Sequence, residues 1–382
     1  MKFLKPLWHI FRLILGLTFI FSGFVKGVDP WGSAYKFTDY FNAWGMESLA
    51  PFALTLGILL PLAEFTIGLA LTFNIFAIVS SMLAFLMMIF FTILTLISAL
   101  TDPVSDCGCF GDAILLTNWQ TFYKNLILLV LAYIVWRYSK KYKAQFTSLK
   151  GILSFTFVLV FIFLMSYSYN HLPIIDFRPY KKGVNIKEAM TIPEGAPIDI
   201  YEHTFYYKNK KTGEQKLFDE SNYPWQDTLT WEFVDMNNHR VKKGYTPPIQ
   251  NFTITNEDGE DIKDIFLESD IYTFVLIARE VNSIEPEKLK GISELLSYTQ
   301  AKGLGFIGLT ASSRNDVINF SRTNGLNFAF YNTDPITLKT MIRSEPGLFL
   351  LHKGVIIDKW HYNDFPTVEE FEKIRKAKSP LN

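Results

Sequence analysis

The chain has 382 residues, and its 37 Lys plus Arg balance 37 Asp plus Glu, so no net charge draws it to nucleic acid or an acidic partner. Aromatic residues make up 16% of it, much of that Phe, a usage that fits lipid-facing helices better than a small soluble enzyme. The apolar weight falls on residues 1 to about 170, whereas the chain beyond about 176 reads as soluble protein, so a membrane domain and at least one separate core are expected.

Five runs approach the ~20 apolar residues a spanning helix needs: 8–27, 51–73, 75–99, 118–137 and 151–170. The first follows Lys2 and Lys5 in the manner of a signal peptide. It lacks an A-x-A-like exit and continues into an amphipathic stretch, so it is read as a retained span followed by a connection over 28–50. Asn74 and its neighbours separate the second and third runs, which predicts a tight helical hairpin. Basic residues gather at Lys2 and Lys5 and again at Arg137, Lys140, Lys141, Lys143 and Lys150. Five crossings put both groups on one side, and the positive-inside rule makes that side cytoplasmic. The expected location is the bacterial cytoplasmic (inner) membrane, with the N-terminus cytoplasmic. The 28–50 connection, the cysteine segment and all residues after 170 would then be periplasmic.

The only two cysteines stand one residue apart in Asp106-Cys107-Gly108-Cys109-Phe110-Gly111-Asp112, a polar hinge between the third and fourth runs. A Cys-x-Cys disulfide needs Cα atoms about 4.4–6.8 Å apart, and Gly108 eases that ring by accepting positive φ. A strained disulfide is easily reduced, which suits a shuttle, and an exported site permits one. The helix that follows Gly111 and Asp112 favours a thiolate, while the carboxylates of Asp106 and Asp112 oppose it. A redox pair, a structural clip and a metal site all stay open on these residues. Zinc wants four ligands, and His9, His171, His203, His239, His352 and His361 are scattered; copper(I) accepts two thiolates, but no Met-rich surroundings support it. No metal is expected. Glu64 is the other unusual residue, roughly 20 Å below the outer surface by helical rise. It should be protonated or paired there, and Arg12 in the antiparallel first helix is the expected partner. A proton relay or quinone contact and a structural ion pair are all compatible with it, and Ser22, Gly23 and Gly68 fit close helix packing.

Taken in order, Arg12 and Gly16, Phe21-Ser22-Gly23, Lys26, Asp29-Pro30, Pro61-x-x-Glu64-x-x-x-Gly68 and Cys107-Gly-Cys-Phe-Gly-Asp112 resemble the DoxX/MauE group of four-helix membrane proteins. The resemblance covers somewhat over a third of the chain. It implies extracytoplasmic thiol redox, maturation of disulfide-bearing enzymes, or quinone-linked sulfur oxidation. A quinone has no support in the residues themselves, and no cofactor is expected.

Beyond the fifth run, Asp176-Phe-Arg-Pro-Tyr-Lys-Lys-Gly183 reads as a linker and 185–244 as a small β-rich insertion, with a turn at Lys211-Thr212-Gly213. From about 245 the pattern predicts strands at 271–278, 305–310, 327–331, 347–352 and 355–360. Helices are predicted at 285–302, 315–324, 334–343 and 368–377, giving a mixed sheet covered on both faces. This order, with an opening Pro248-Ile-Gln-Asn-Phe-Thr253 segment and Glu257-Asp-Gly259, resembles a thioredoxin-like domain of the peroxiredoxin or TlpA kind. Pro346 stands where that family has a cis-proline beside a polypeptide-binding groove. Arg279 to Ser283 occupy the family's thiol position without a thiol, so exchange chemistry is not expected in this domain.

The expected architecture is an α-helical membrane bundle over 1–145, a fifth transmembrane helix over 146–172, a linker and β-rich segment over 173–244, and an α/β thioredoxin-like domain over 245–382. Its function is read as envelope thiol redox or protein maturation through Cys107 and Cys109, acting on a periplasmic or inner-membrane protein partner. The alternative is a non-enzymatic accessory subunit that holds a partner through the degenerate thioredoxin-like domain.

Overall fold

The computed structural model describes residues 4–104, 107–142, 147–242 and 244–378. Lys2, Asp106 and Lys143 lie outside the described residues. The chain divides into two compact units: residues 1–184 with 252–382, and residues 185–251.

The first unit begins with α1 (Leu4–Val28) and α2 (Pro30–Ala43), then a 3-10 turn over Glu47–Phe52 that leads into α3 (Ala53–Phe73). α4 (Ala77–Thr101), α5 (Asn118–Tyr142) and α6 (Ser148–Asn170) follow. Among the described residues, α1, α3 with its preceding turn, α4 and α6 are long and apolar enough to cross a membrane. α5 has the same 25-residue length as α1 and α4 but falls outside that set, since Lys124, Arg137, Lys140 and Lys141 lower its apolar content. It packs into the bundle all the same: Leu128, Ala132 and Val135 of α5 share a buried cluster with Trp8, Leu15 and Phe19 of α1 and Met88 of α4. Large side chains such as Phe90, Leu100, Phe155 and Phe163 point outward, as a lipid-facing surface requires. The tight α3–α4 hairpin is present, with Asn74 at φ 57 and Phe76 at φ 47.

The connection over 28–50 is largely helical. Asp29 accepts a hydrogen bond from Gly32 N at 2.8 Å and Pro30 supplies the first helical residue, so Asp-Pro starts α2.

Residues 252–378 of the same unit build a five-stranded sheet in the order β6-β5-β4-β7-β8. Its strands are β4 (Thr273–Ile277), β5 (Gly305–Thr310), β6 (Phe330–Asn332), β7 (Gly347–His352) and β8 (Val355–His361). β4, β5 and β6 run parallel, while β7 is antiparallel to β4 and β8 to β7. α8 (Lys263–Leu267) precedes β4, and α9 (Ile292–Lys302), α10 (Arg314–Asn324), α11 (Pro335–Met341) and α12 (Val368–Lys378) complete the domain. Its core joins Phe274, Leu276, Leu348, Leu350, Ile292 and Phe371. The helix expected over 285–302 starts only at Ile292: a 3-10 turn spans Pro286–Leu289, and Gly291 at φ 88 cannot carry a right-handed helix through. The Glu345–Pro346 peptide is cis and leads directly into β7.

The second unit holds α7 (Ile186–Met190) and an antiparallel sheet of order β2-β1-β3, made by β1 (Ile200–Asn209), β2 (Gln215–Asp219) and β3 (Trp231–Lys242). Gly213, at φ 73, turns β1 into β2. Phe205 stacks on Tyr223 at 4.4 Å, and Phe218 meets Trp231 edge-on at 5.2 Å.

Candidate functional site around Cys107 and Cys109

α1 and α3 approach each other through small residues. A Cβ on Gly23 would stand 2.6 Å from Phe65 N and 2.7 Å from Pro61 O, and one on Gly68 would stand 2.6 Å from Ile20 N. Those are backbone atoms that cannot yield, so glycine fixes both the helix spacing and the register. The register sets Lys26 beside Glu64. Lys26 Nζ donates to both carboxylate oxygens, at 2.6 and 2.8 Å, in a site where Lys26 is 8% and Glu64 2% exposed. Arg12, the expected partner of Glu64, is instead near the other end of the antiparallel pair. It donates to the carbonyl oxygens of Leu71 and Thr72, where α3 runs out of helical donors.

The cysteine segment lies over the α1 end of this pair. Gly108 and Gly111 adopt φ 64 and 52, and Gly111 N donates to Gly108 O at 3.0 Å to close a turn. Ser22 donates to the carbonyl of Cys109 at 2.8 Å, and Phe21 meets Phe110 at 5.4 Å, which ties the loop to α1. Cys107 Sγ is hydrogen-bonded to Thr121 Oγ1 at 3.1 Å, in the first turn of α5. Lys124, one turn further on, places its ammonium 4.0 Å above the Phe110 ring. The two thiols are half-buried and are not bonded to each other.

Their electrostatics are unequal. A hydrogen bond from the Cys109 thiol draws the Cys107 pKa down to about 6 against the opposing effect of burial, and Thr121 and Lys124 add to it. Cys109 moves the other way: giving its proton to that hydrogen bond, together with burial and the nearby Cys107 charge, raises its pKa well above the ordinary thiol value. Cys107 is therefore the anionic sulfur and Cys109 the protonated one. Asp112, expected to disfavour thiolates, meets Arg343 Nη2 at 3.2 Å.

Arg343 clasps this loop to residues 252–378. Its guanidinium meets Asp29 through Nε at 2.9 Å and Asp112 through Nη2 at 3.2 Å, with Arg343 only 7% exposed. Burial works against the Arg343 cation, and Asp29 and Asp112 overcome it, raising its pKa. Beside the clasp, the ring of Tyr35 on α2 is surrounded by three cations: Lys339 at 5.1 Å, Arg343 at 5.3 Å and Arg279 at 5.7 Å from its centroid. Arg279 also donates to the Tyr35 hydroxyl at 3.3 Å and lies 3.8 Å from Glu345, the residue before Pro346. The linker is anchored in the same region: Asp176 binds Arg178 at 2.7 Å and also Lys359, and Arg178 is 1% exposed.

Two cavities meet at the loop. One, of about 440 Å³, is walled mainly by apolar side chains of α2, α3 and α4, such as Phe37, Leu60 and Phe91, and reaches both cysteines. The other, about 40 Å³, lies within the bundle between Cys109, Lys26, Glu64, Lys124 and Asn125. Among the described residues no three His, Cys, Asp or Glu side chains gather to hold a metal ion.

The structure thus brings Cys107, Gly108, Cys109, Gly111, Asp112, Lys26 and Glu64 into one place and leaves Arg12 at the far end of α3. Of the thiol-position and cis-proline residues, Arg279 contacts Tyr35 of α2 and lies beside Glu345, which precedes Pro346. Thr121, Lys124, Tyr35 and Arg343 were not singled out from the sequence. Lys124 carried a visible signal, as a cation within an otherwise apolar run; Arg343 carried none.

Residues 4–138 match the family model described as methylamine utilisation protein MauE, and residues 201–243 match one described as a domain of unknown function, DUF8463. No curated protein and no solved structure matches the chain.

Proposed function

We propose that the chain is a membrane-embedded component of thiol–disulfide exchange, acting through Cys107 and Cys109 on a protein partner at the outer face of the bacterial cytoplasmic membrane. One observation carries this reading: two thiols with no disulfide between them share a loop in which a hydrogen bond from one lowers the pKa of the other. Cys107 is the attacking thiolate and Cys109 the resolving thiol. Gly108 and Gly111 shape the loop, and Asp112 holds it to Arg343. The match to a methylamine utilisation family is compatible with an accessory membrane role beside other proteins. Residues 252–378 are read as a thioredoxin-like domain, supported by the β6-β5-β4-β7-β8 order and by cis-Pro346 ahead of β7. The contact of Arg343 with Asp29 and Asp112 supports a common, periplasmic side for the loop and this domain.

The test is to quench native membranes with acid and alkylate free thiols. Partner adducts trapped through Cys107 in a C109S variant and lost in C107S support exchange. Absence of adducts in both, with partner co-purification intact, refutes it.

A scaffold is the second reading, favoured by one specific feature. The thiol-free edge is already engaged through Arg279, which donates to Tyr35 of the same chain and lies beside Glu345, so this domain holds α2 in place and has no exchange chemistry of its own.

A further inference from the structure

The small chamber beneath Cys109 has a composition that the exchange reading leaves unused. Its walls carry one thiol, one carboxylate and two ammonium groups, from four separate places in the chain: Cys109 in the loop, Glu64 on α3, Lys26 on α1 and Lys124 on α5. α4 contributes Met88 and Phe91, which do not titrate. At about 40 Å³ the chamber has room for water, which needs roughly 10–15 Å³ of such volume per molecule. The Lys26–Glu64 pair is far more buried than ordinary stability would reward, because removing both charges from water offsets most of their attraction. Close helix packing at Gly23 and Gly68 already fixes α1 on α3 without it.

We propose that Glu64 is the proton acceptor for Cys109, receiving the thiol proton through water in this chamber while Lys26 moves from the carboxylate to the newly formed thiolate. The inference rests on the exchange reading above and adds the proton route to it. In the first step Cys107 thiolate attacks one sulfur of a partner disulfide, forming the Cys107–partner bond and releasing one partner thiolate. In the second step Cys109 gives its proton to Glu64 and attacks Cys107 Sγ. The Cys107–Cys109 bond forms, the Cys107–partner bond breaks, and the second partner thiolate leaves. Two electrons pass from the dithiol to the partner disulfide, and the proton held by Glu64 passes on to a departing thiolate. Charge inside the chamber is conserved in the proton transfer, where a carboxylate is exchanged for a thiolate and Lys26 and Lys124 face a single anion; the anion then leaves with the partner thiolate, and Glu64 becomes anionic again when it passes its proton on. Cys109 needs such a base because, once the mixed disulfide has removed the Cys107 charge, burial still disfavours its thiolate.

The probe is dithiobis(nitrobenzoate), an aromatic disulfide whose two thiolate products are coloured and released one per step. The full chain is reduced, placed in detergent and mixed by stopped flow between pH 6 and 9. Wild type should release two equivalents, the second from Cys109. E64Q should release the first at the wild-type rate and the second about a hundredfold more slowly, the size of a lost general base. Its second phase should rise about tenfold per pH unit as hydroxide takes over, whereas the wild-type rate should level off. E64D should recover most of the second phase. An unchanged first phase reports an intact site. If E64Q alone does not fold, K26Q/E64Q, which removes both charges together, carries the same expectation. Wild-type rates for both equivalents in E64Q, or in the double variant, would overturn the assignment. Release of a single equivalent by wild type would overturn the exchange reading itself, and is distinguished because it appears before any substitution is made.

Discussion

With its pKa at about 6, Cys107 is mostly thiolate at neutral pH, and the hydrogen bond from Cys109 is the largest cause. Iodoacetamide alkylation of Cys107 should therefore rise with a midpoint near pH 6, while Cys109 reacts only in strongly alkaline solution. In C109A the donor is gone, and the midpoint should climb toward the ordinary thiol value of about 8.5. A midpoint that stays near 6 would assign the shift to Thr121 or Lys124 instead. His361 provides the second pH-dependent residue, well away from the thiols. It is 3% exposed in β8, its Nδ1 accepts from Asn363 N at 3.2 Å, and burial lowers its pKa to about 4. Asp364 opposes that shift, while His171 and Lys288 reinforce it. The folded pKa lies below the unfolded value of 6.5, so the neutral ring contributes stability that is fully present above pH 6.5. As pH falls from 6.5 toward 4 the unfolded chain takes up a proton that the folded one refuses, and up to about 3 kcal/mol is lost. Thermal melts of the full chain in detergent should show this loss, and H361Q should flatten it.

The elements around the site depend on the Arg343 clasp, which joins three segments far apart in sequence: the start of α2, the cysteine loop and the turn before β7. R343M leaves Asp29 and Asp112 without their cation. Breaking a buried pair costs about 3–5 kcal/mol, and the one-third exposure of the Asp112 side chain reduces this to about 2–3. Amide exchange over 107–112 should quicken in R343M. D29N should destabilise more than D112N, because Arg343 Nε meets both oxygens of Asp29, at 3.1 and 2.9 Å. Equal losses in the two variants would count against this hierarchy. The clasp also marks where reading from sequence stops. Long apolar runs located the helices, and period-two and helical patterns located the sheet and its covering helices, because both depend on local burial. The partner of Glu64 depends on how far α3 is slid along α1, and Arg12 and Lys26 stand on one helix about four turns apart. Gly16, Gly23 and Gly68 hold that offset, and only their contact distances reveal it. Arg343 and Asp29 are separated by 314 residues, so no local pattern joins them.

At the scale of the whole molecule, the clasp constrains how the chain crosses the membrane. Asp29 follows α1, Asp112 follows α4, and Arg343 belongs to the domain that follows α6; one guanidinium touches both carboxylates. Segments in contact occupy one side of a bilayer, so an even number of crossings must separate them. α3 and α4 supply two between Asp29 and Asp112. Between Asp112 and Arg343, α6 supplies one, so the proposed common side for these residues would need α5 as a second crossing despite its four cations. On the proposed topology Lys140 and Lys141 would close α5 at the cytoplasmic surface, where positive charge is favoured; Lys124 lies near the opposite end, over Phe110. A membrane-impermeant maleimide applied to intact spheroplasts should label native Cys107 and, in a C107S/C109S background, Q300C on α9. It should leave K140C unlabelled until the membrane is opened. Labelling of K140C together with Cys107 in sealed spheroplasts would show that α5 does not cross, and the contact between Arg343 and Asp112 could then not form in the membrane.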